Sequence, residues 1–135
     1  MPVVEVVGRG QLDPCEAVRA LLSSGKAQEA GCVVCFIGVV RGRSRTGEPV
    51  ESIVLRGEEE ELKAFLSGLA SELEKGQGVL DIYMGHALGT LSVGDIITTI
   101  AVLAVDRASA FRAARKAIDT IKEGAPVELV EFPAR

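Results

Sequence analysis

The decapeptide GCVVCFIGVV at residues 31–40 constrains the fold more than any other feature of the chain. It carries no charge and no amide, and its Val, Ile and Phe residues favour extended backbone. It is shorter than the roughly 18 residues that signal a membrane-spanning helix. It shows no alternation of polar and apolar residues, so it reads as a strand buried on both faces. Such a strand needs cover on two sides, and the rest of the chain must supply it. The 135 residues are enough for one domain and too few for two.

The remaining pattern supplies alternating strands and helices. Residues 3–7 form a short β-branched run. Asp13-Pro14-Cys15-Glu16 reads as a helix start, with Asp at the cap, Pro in the first turn and Glu three residues after the cap. That helix runs to about Ser23. Residues 41–49 form a loop by their Gly, Ser and Pro content, and residues 50–56 a strand. Residues 58–75 form a helix with Leu62, Phe65, Leu66, Leu69 and Leu73 at helical spacing. A strand at 79–86, a turn-rich connection at 88–94 and a long β-branched strand at 95–105 follow. The helix at 107–123 presents Phe111, Ala114, Ile118 and Ile121 on its apolar face and Arg112, Arg115, Asp119 and Lys122 on the other. Gly124 and Pro126 end it, and residues 127–132 close the chain as a strand. The order β-α-β-β-α-β-β-α-β predicts a single α/β or α+β domain over residues 1–135.

Composition narrows the function. Fifteen basic against nineteen acidic residues leave a net charge of −4, which disfavours non-specific nucleic-acid binding. No apolar run is long enough for a membrane span, and no basic stretch leads into an apolar one at the start. Neither a membrane partner nor a signal peptide is expected. Three cysteines make no disulfide framework, so a reducing cytoplasm is the expected compartment. Asparagine is absent and glutamine occurs only at 11, 28 and 77, a depletion of thermolabile amides that favours a thermophilic source.

Four groups of residues could carry chemistry. Arg41, Arg43 and Arg45 lie within five residues with no acid among them, a local site for phosphate or carboxylate. The plain alternative is a solvated loop. Asp106 and Arg107 stand where the long strand hands over to the last helix. Asp106 suits a helix cap, while Arg107 sits at the positive end of the helix, where a bound anion would relieve the conflict. Lys122 either complements the negative helix end or acts as a proton donor or nucleophile. Cys32 and Cys35 are three apart on a strand and so point to opposite faces. They read as core residues, and no metal site is expected. His86, the sole histidine, reads as structural. Gly8-Arg-Gly10 and Gly76-Gln-Gly78 are too short for phosphate loops.

The order of residues resembles the molybdopterin synthase catalytic (large) subunit family. Residues 31–41 resemble its first core strand, with Phe36, Gly38 and a closing Arg41. The run from His86 through Gly89 and Gly94 to Asp95 is similar to the family's H-R-x-G-x-L-x-x-G-D turn. Asp106-Arg107 through Ala110-Phe111 to Ala113 resembles its H-R-x-x-A-F-x-A helix start. Asp119, Lys122 and Pro126 resemble its D-x-x-K-x-x-x-P segment. The match covers roughly residues 31–131.

The resemblance implies an α/β hammerhead fold, a homodimer, and a small ubiquitin-like sulfur-carrier subunit docking at each end to give a heterotetramer. The carrier's C-terminal Gly-Gly thiocarboxylate would reach into a pocket of the large subunit. There it would pass sulfur to cyclic pyranopterin monophosphate, two sulfurs making the dithiolene, with no cofactor. By the same resemblance Lys122 is the catalytic lysine. Arg41, Asp106, Arg107 and Glu131 contact substrate, and Val39 and Val40 line its site through backbone. Arg43 and Arg45 are further anion-binding candidates. Asp106 stands where the family pattern has His, Ala87 where it has Arg, and Glu128-Leu129 where it has Trp-Lys. These departures frame a competing reading, a diverged non-catalytic homologue that keeps the dimer and partner docking. A third reading is an unrelated domain that binds a phosphorylated metabolite at residues 41–45. The catalytic reading expects Arg41, Arg107 and Lys122 to converge on one pocket near a dimer interface.

Overall fold

The computed structural model describes residues 2–134. Its elements are β1 (Val3–Val7), α1 (Pro14–Leu22), a short 3-10 turn (Ala27–Glu29), β2 (Cys32–Val39), β3 (Val50–Arg56), α2 (Glu59–Glu74), β4 (Val79–Ala87), β5 (Gly89–Ser92), β6 (Ile96–Ala104), α3 (Arg107–Gly124) and β7 (Glu128–Pro133). They make an α+β fold with two sheets, one ordered β1-β4-β6-β2 and the other β5-β3-β7.

Side-chain alternation along β4 and β6 builds two cores on the larger sheet. Ile82, Met84, Ile100, Val102 and Ala104 face α2 and α3, where Leu62, Leu66, Ala70, Ala110, Ala113, Ala114 and Ala117 meet them. Tyr83, Ala101 and Leu103 face the other way, onto Ala17 and Leu21 of α1. Cys32 packs against the first core and Cys35 against the second, as strand alternation requires. A third cluster, with Leu12, Val40, Val50, Ile53, Leu55, Ala87 and Leu91, fills the corner under the small sheet. Among the described residues no helix is long and apolar enough to cross a membrane.

Three expectations need correction. β2 is not buried on both faces. Among the described residues it is the edge of its sheet, paired only with β6, and it leaves Ile37 44% and Val39 48% exposed. The turn-rich connection at 88–94 contains β5, a short strand that pairs with β3. Phe111 lies outside the core at 60% exposure, because the face of α3 that meets the sheet is the small-residue stripe Ala110, Ala113, Ala114 and Ala117. Small residues let the helix approach closely and leave a bulky ring no room there.

Candidate active site

Both arginine positions of interest follow strands of one antiparallel pair. In the β2–β6 ladder Val39 lies opposite Ile96, and Cys32 lies opposite Ala104. Arg41 therefore emerges at the start of β6, and Arg107 follows its end.

The Arg41 end is the more tightly tied. The Val40 N–H donates to the Asp95 carbonyl at 3.0 Å, and the Gly94 N–H donates back to the Val40 carbonyl at 2.9 Å. Val40 is buried while Val39 faces out. The Asp95 carboxylate accepts the Ser92 N–H at 2.8 Å and Arg9 Nε at 2.5 Å, linking the loop after β1 to the turn before β6. The Ser92 N–H, and then Arg9, hold the Asp95 carboxyl below the usual carboxylate range. In the arginine loop, Arg43 donates to the Gly47 carbonyl at 3.0 Å, and Ser44 Oγ accepts the Glu48 N–H at 3.2 Å. Arg43 thus braces its own loop. Arg41 and Arg45 are exposed, with no ion-pair partner among the described residues.

Lys122 comes to this same end. It lies in the last turn of α3, exposed and without an ion-pair partner among the described residues. Just beyond the helix, Val127 packs into the corner cluster with Val40 and Ala87. Glu131 lies nearby on β7, opposite Ile53 of β3, with its side chain exposed. Leu129 is 52% exposed, and Glu128 approaches Arg56 at 3.8 Å.

Asp106 and Arg107 occupy the opposite end. Asp106 is the helix cap, its Oδ1 accepting the Ser109 N–H at 2.8 Å. That bond, with the Ser109 hydroxyl second, keeps its carboxyl below the usual range. Gly31 sits against this end. Its N–H donates to the Ala104 carbonyl at 2.9 Å, and a Cβ there would strike the Val105 carbonyl. From Arg107 to Lys122 the axial distance along α3 is about 22 Å, at about 1.5 Å rise per residue. One chain therefore brings Arg41, Lys122 and Glu131 to one end and leaves Asp106 and Arg107 at the other.

His86 is buried, and its Nδ1–H donates to the Ala87 carbonyl at 2.8 Å, bracing the end of β4. Burial depresses its pKa. The Arg9–Asp95 link escaped the sequence reading. Its partners are 86 residues apart, and a single Arg between two glycines gives no local signal of its mate.

A family model described as MoaE protein matches residues 8–124. The chain is 32% identical over 107 residues to a molybdopterin synthase catalytic subunit of Thermoplasma volcanium, covering 79% of this chain and 77% of the relative. It is 35% identical over 98 residues to one from Nostoc sp., covering 72% of this chain but only 59% of that longer relative. The fold matches the crystal structure of molybdopterin synthase from Staphylococcus aureus with a TM-score of 0.81 and 27% identity, over 96% of this chain and 90% of that one. It also matches, with a TM-score of 0.73 and 20% identity over 98% and 84% of the chains, a Helicobacter pylori structure described as a complex of subunits 1 and 2 of molybdopterin-converting factor.

Proposed function

The chain belongs to the MoaE protein family, and on that premise we propose that it is the sulfur-transferring catalytic subunit of a molybdopterin synthase acting as a homodimer. The observation that carries the reading is the free edge of β2. An apolar strand edge with Ile37 and Val39 exposed is a ready surface for pairing with another chain. Two copies related by a two-fold axis would pair β2 with β2 antiparallel, since the same patch must meet itself. That pairing sets the Val39 end of one copy beside the Cys32 end of the other. Arg41 and Lys122 of one copy then face Asp106 and Arg107 of its partner, and two equal sites form.

The chemistry asks for such a cationic site. The substrate, cyclic pyranopterin monophosphate, carries a phosphate, and the C-terminal thiocarboxylate of a small ubiquitin-like carrier is a second anion. Guanidinium groups grip phosphate through paired N–H donors. Arg41 and Arg107 take that role, with Arg45 within reach of the same end and Arg43 holding the loop. Val39 and Val40 present backbone beside Arg41. Lys122 holds the thiocarboxylate by charge and moves protons as sulfur passes to the pterin. Asp106 keeps the first turn of α3 in place and orients Arg107, and Glu131 balances charge at the Lys122 end. Relatives named as catalytic subunits favour this reading over a diverged homologue without activity.

The test is turnover. The purified protein is mixed with a thiocarboxylated ubiquitin-like carrier and cyclic pyranopterin monophosphate, and dithiolene product is followed. Product that disappears in Lys122→Ala supports the reading. A stable complex with the carrier and no product overturns the catalytic role.

A further inference from the structure

The two helices on one face of the larger sheet leave a cleft between the end of α2 and the first half of α3. We propose that this cleft binds a small organic phosphate, with the phosphate on its cationic rim and an apolar body on its floor. Its volume is about 390 Å³, and its floor is formed by Leu73, Val79 and Ala113. Small-molecule sites are concave, mostly apolar and of roughly 300–1,000 Å³, with a few polar groups that fix orientation. The volume of this cleft falls in that range, its floor is apolar, and its rim carries the polar groups.

The rim supplies the charge. Lys75, Arg112 and Lys116 line it. Arg112 and Lys116 stand four apart on one face of α3, where like charges repel and destabilise a helix. The neighbouring cation on that helix, Arg115, has an acid, Asp119, at 3.8 Å. Arg112, Lys116 and Lys75 have no ion-pair partner among the described residues. In a chain of net charge −4 this local excess of cations stands out. Two acids bear on it. Glu72 lies on the rim, and the Asp106 carboxylate, held by Ser109, draws on Arg112. Three cations against these two acids leave the cleft positive by one charge.

The wall opposite α3 is the loop after α2, where Gly76 and Gln77 line the cleft, and Ser109 lines it from α3. The adjoining Gly78 has φ +81°, and a Cβ on it would strike the Ser109 hydroxyl. A glycine is therefore needed where the loop passes α3. The cleft also stays open in the dimer inferred above. α2 packs on β1 and β4, and α3 on β6 and β2, so α3 separates the cleft from the β2 edge. Within one chain the site lies apart from the Arg41 end, and its lining includes none of the residues assigned to sulfur transfer.

Residue-resolved NMR titration of the whole protein tests it, with phenyl phosphate, inorganic phosphate and phenol as probes. Binding here predicts saturable shifts at Gly76, Gly78 and Ala113, with phenyl phosphate at least several-fold tighter than either fragment. The exposed pair Arg112→Gln and Lys116→Gln should weaken phenyl phosphate by tenfold or more while leaving the thermal midpoint unchanged. Shifts confined to residues 41–45, equal binding of phenol, or equal affinity in the double variant would each overturn the proposal. Should the double variant melt early, Lys75→Gln alone serves in its place, with a several-fold loss expected and no loss overturning the site.

Discussion

Arg41 and Arg107 stand at opposite ends of the antiparallel β2–β6 pair. The nine residues of β6 separate them, a span of about 27 Å at about 3.4 Å per residue. Neither side chain can cover that distance, so one phosphate cannot touch both within one chain. In the proposed two-fold pairing of β2 edges the same separation would become an advantage, because it would place each arginine beside the other copy's partner residue.

The shared site predicts complementation. Arg41→Ala and Arg107→Ala should each be nearly inactive as pure dimers. After subunit exchange, half of the dimers are mixed, and each mixed dimer carries one intact site. The mixture should recover about a quarter of wild-type activity. A site built within one chain would leave the mixture as inactive as its parents.

Ile37→Lys tests the edge itself. The side chain is 44% exposed, so a lysine there is tolerated by the monomer. In the paired edge each copy would bring a lysine into the apolar seam, and a charged edge residue blocks strand addition. Sedimentation should show a folded monomer with little turnover. A dimer that survives the change would move the interface elsewhere.

The β2 edge also shows where the sequence was legible. Apolar content and β-branching located β2, and alternation correctly sent Cys32 and Cys35 to opposite faces. The Asp13 and Asp106 caps, seen as residue types at helix starts, accept the N–H groups of Glu16 and Ser109. What covers an apolar strand is not written in the strand. Ile37 and Val39 read the same whether a helix of their own chain or a second copy covers them. Phe111 failed for a related reason. Helical spacing says which residues share a face, and the packing of Ala110, Ala113 and Ala117 decides which face goes inward. β5 is four residues with glycine at its start, too short for a periodic signal. The position of Arg41 relative to Arg107 depended on strand order, which no local pattern encodes.

Lys122→Ala separates catalysis from folding. The residue is exposed and without an ion-pair partner among the described residues, so its loss should change stability by less than about 0.5 kcal/mol. A lysine that moves protons in the transfer step should cost about 10²–10⁴-fold in kcat. Single-turnover product formation measures the second effect and thermal melting the first. A few-fold loss in kcat would reduce Lys122 to a helix-end charge.

Acid should loosen the Arg41 end. The Asp95 carboxyl sits below its ordinary pKa because the Ser92 N–H and Arg9 favour its ionised form. A carboxyl depressed on folding contributes stability that is full above the unfolded value, about 3.9, and fades as pH falls through the folded one. The thermal midpoint of wild type should therefore exceed that of Asp95→Asn by a constant margin at neutral pH. The margin should shrink below about pH 4. A margin independent of pH would mean that the Arg9–Asp95 contact adds nothing through charge.

Thr99 offers a stabilising change. It lies in the middle of β6 with its side chain fully buried, and its hydroxyl has no hydrogen-bond partner among the described residues. A buried hydroxyl left unpaired costs roughly 1–3 kcal/mol relative to one that stays hydrated. Valine keeps the β-branched shape and replaces that oxygen with a methyl group, so it removes the cost without opening a cavity. Thr99→Val should raise stability by about 1 kcal/mol, a shift of several degrees in the thermal midpoint for a chain of this length. Thr99→Ala should not, because it trades the unpaired oxygen for a void against Ile37 and Gly85, the residues paired with it on either side. Denaturant melts of the two variants decide the matter. If valine destabilises as much as alanine, the hydroxyl has a partner in solution, and a buried water is the one that fits such a site.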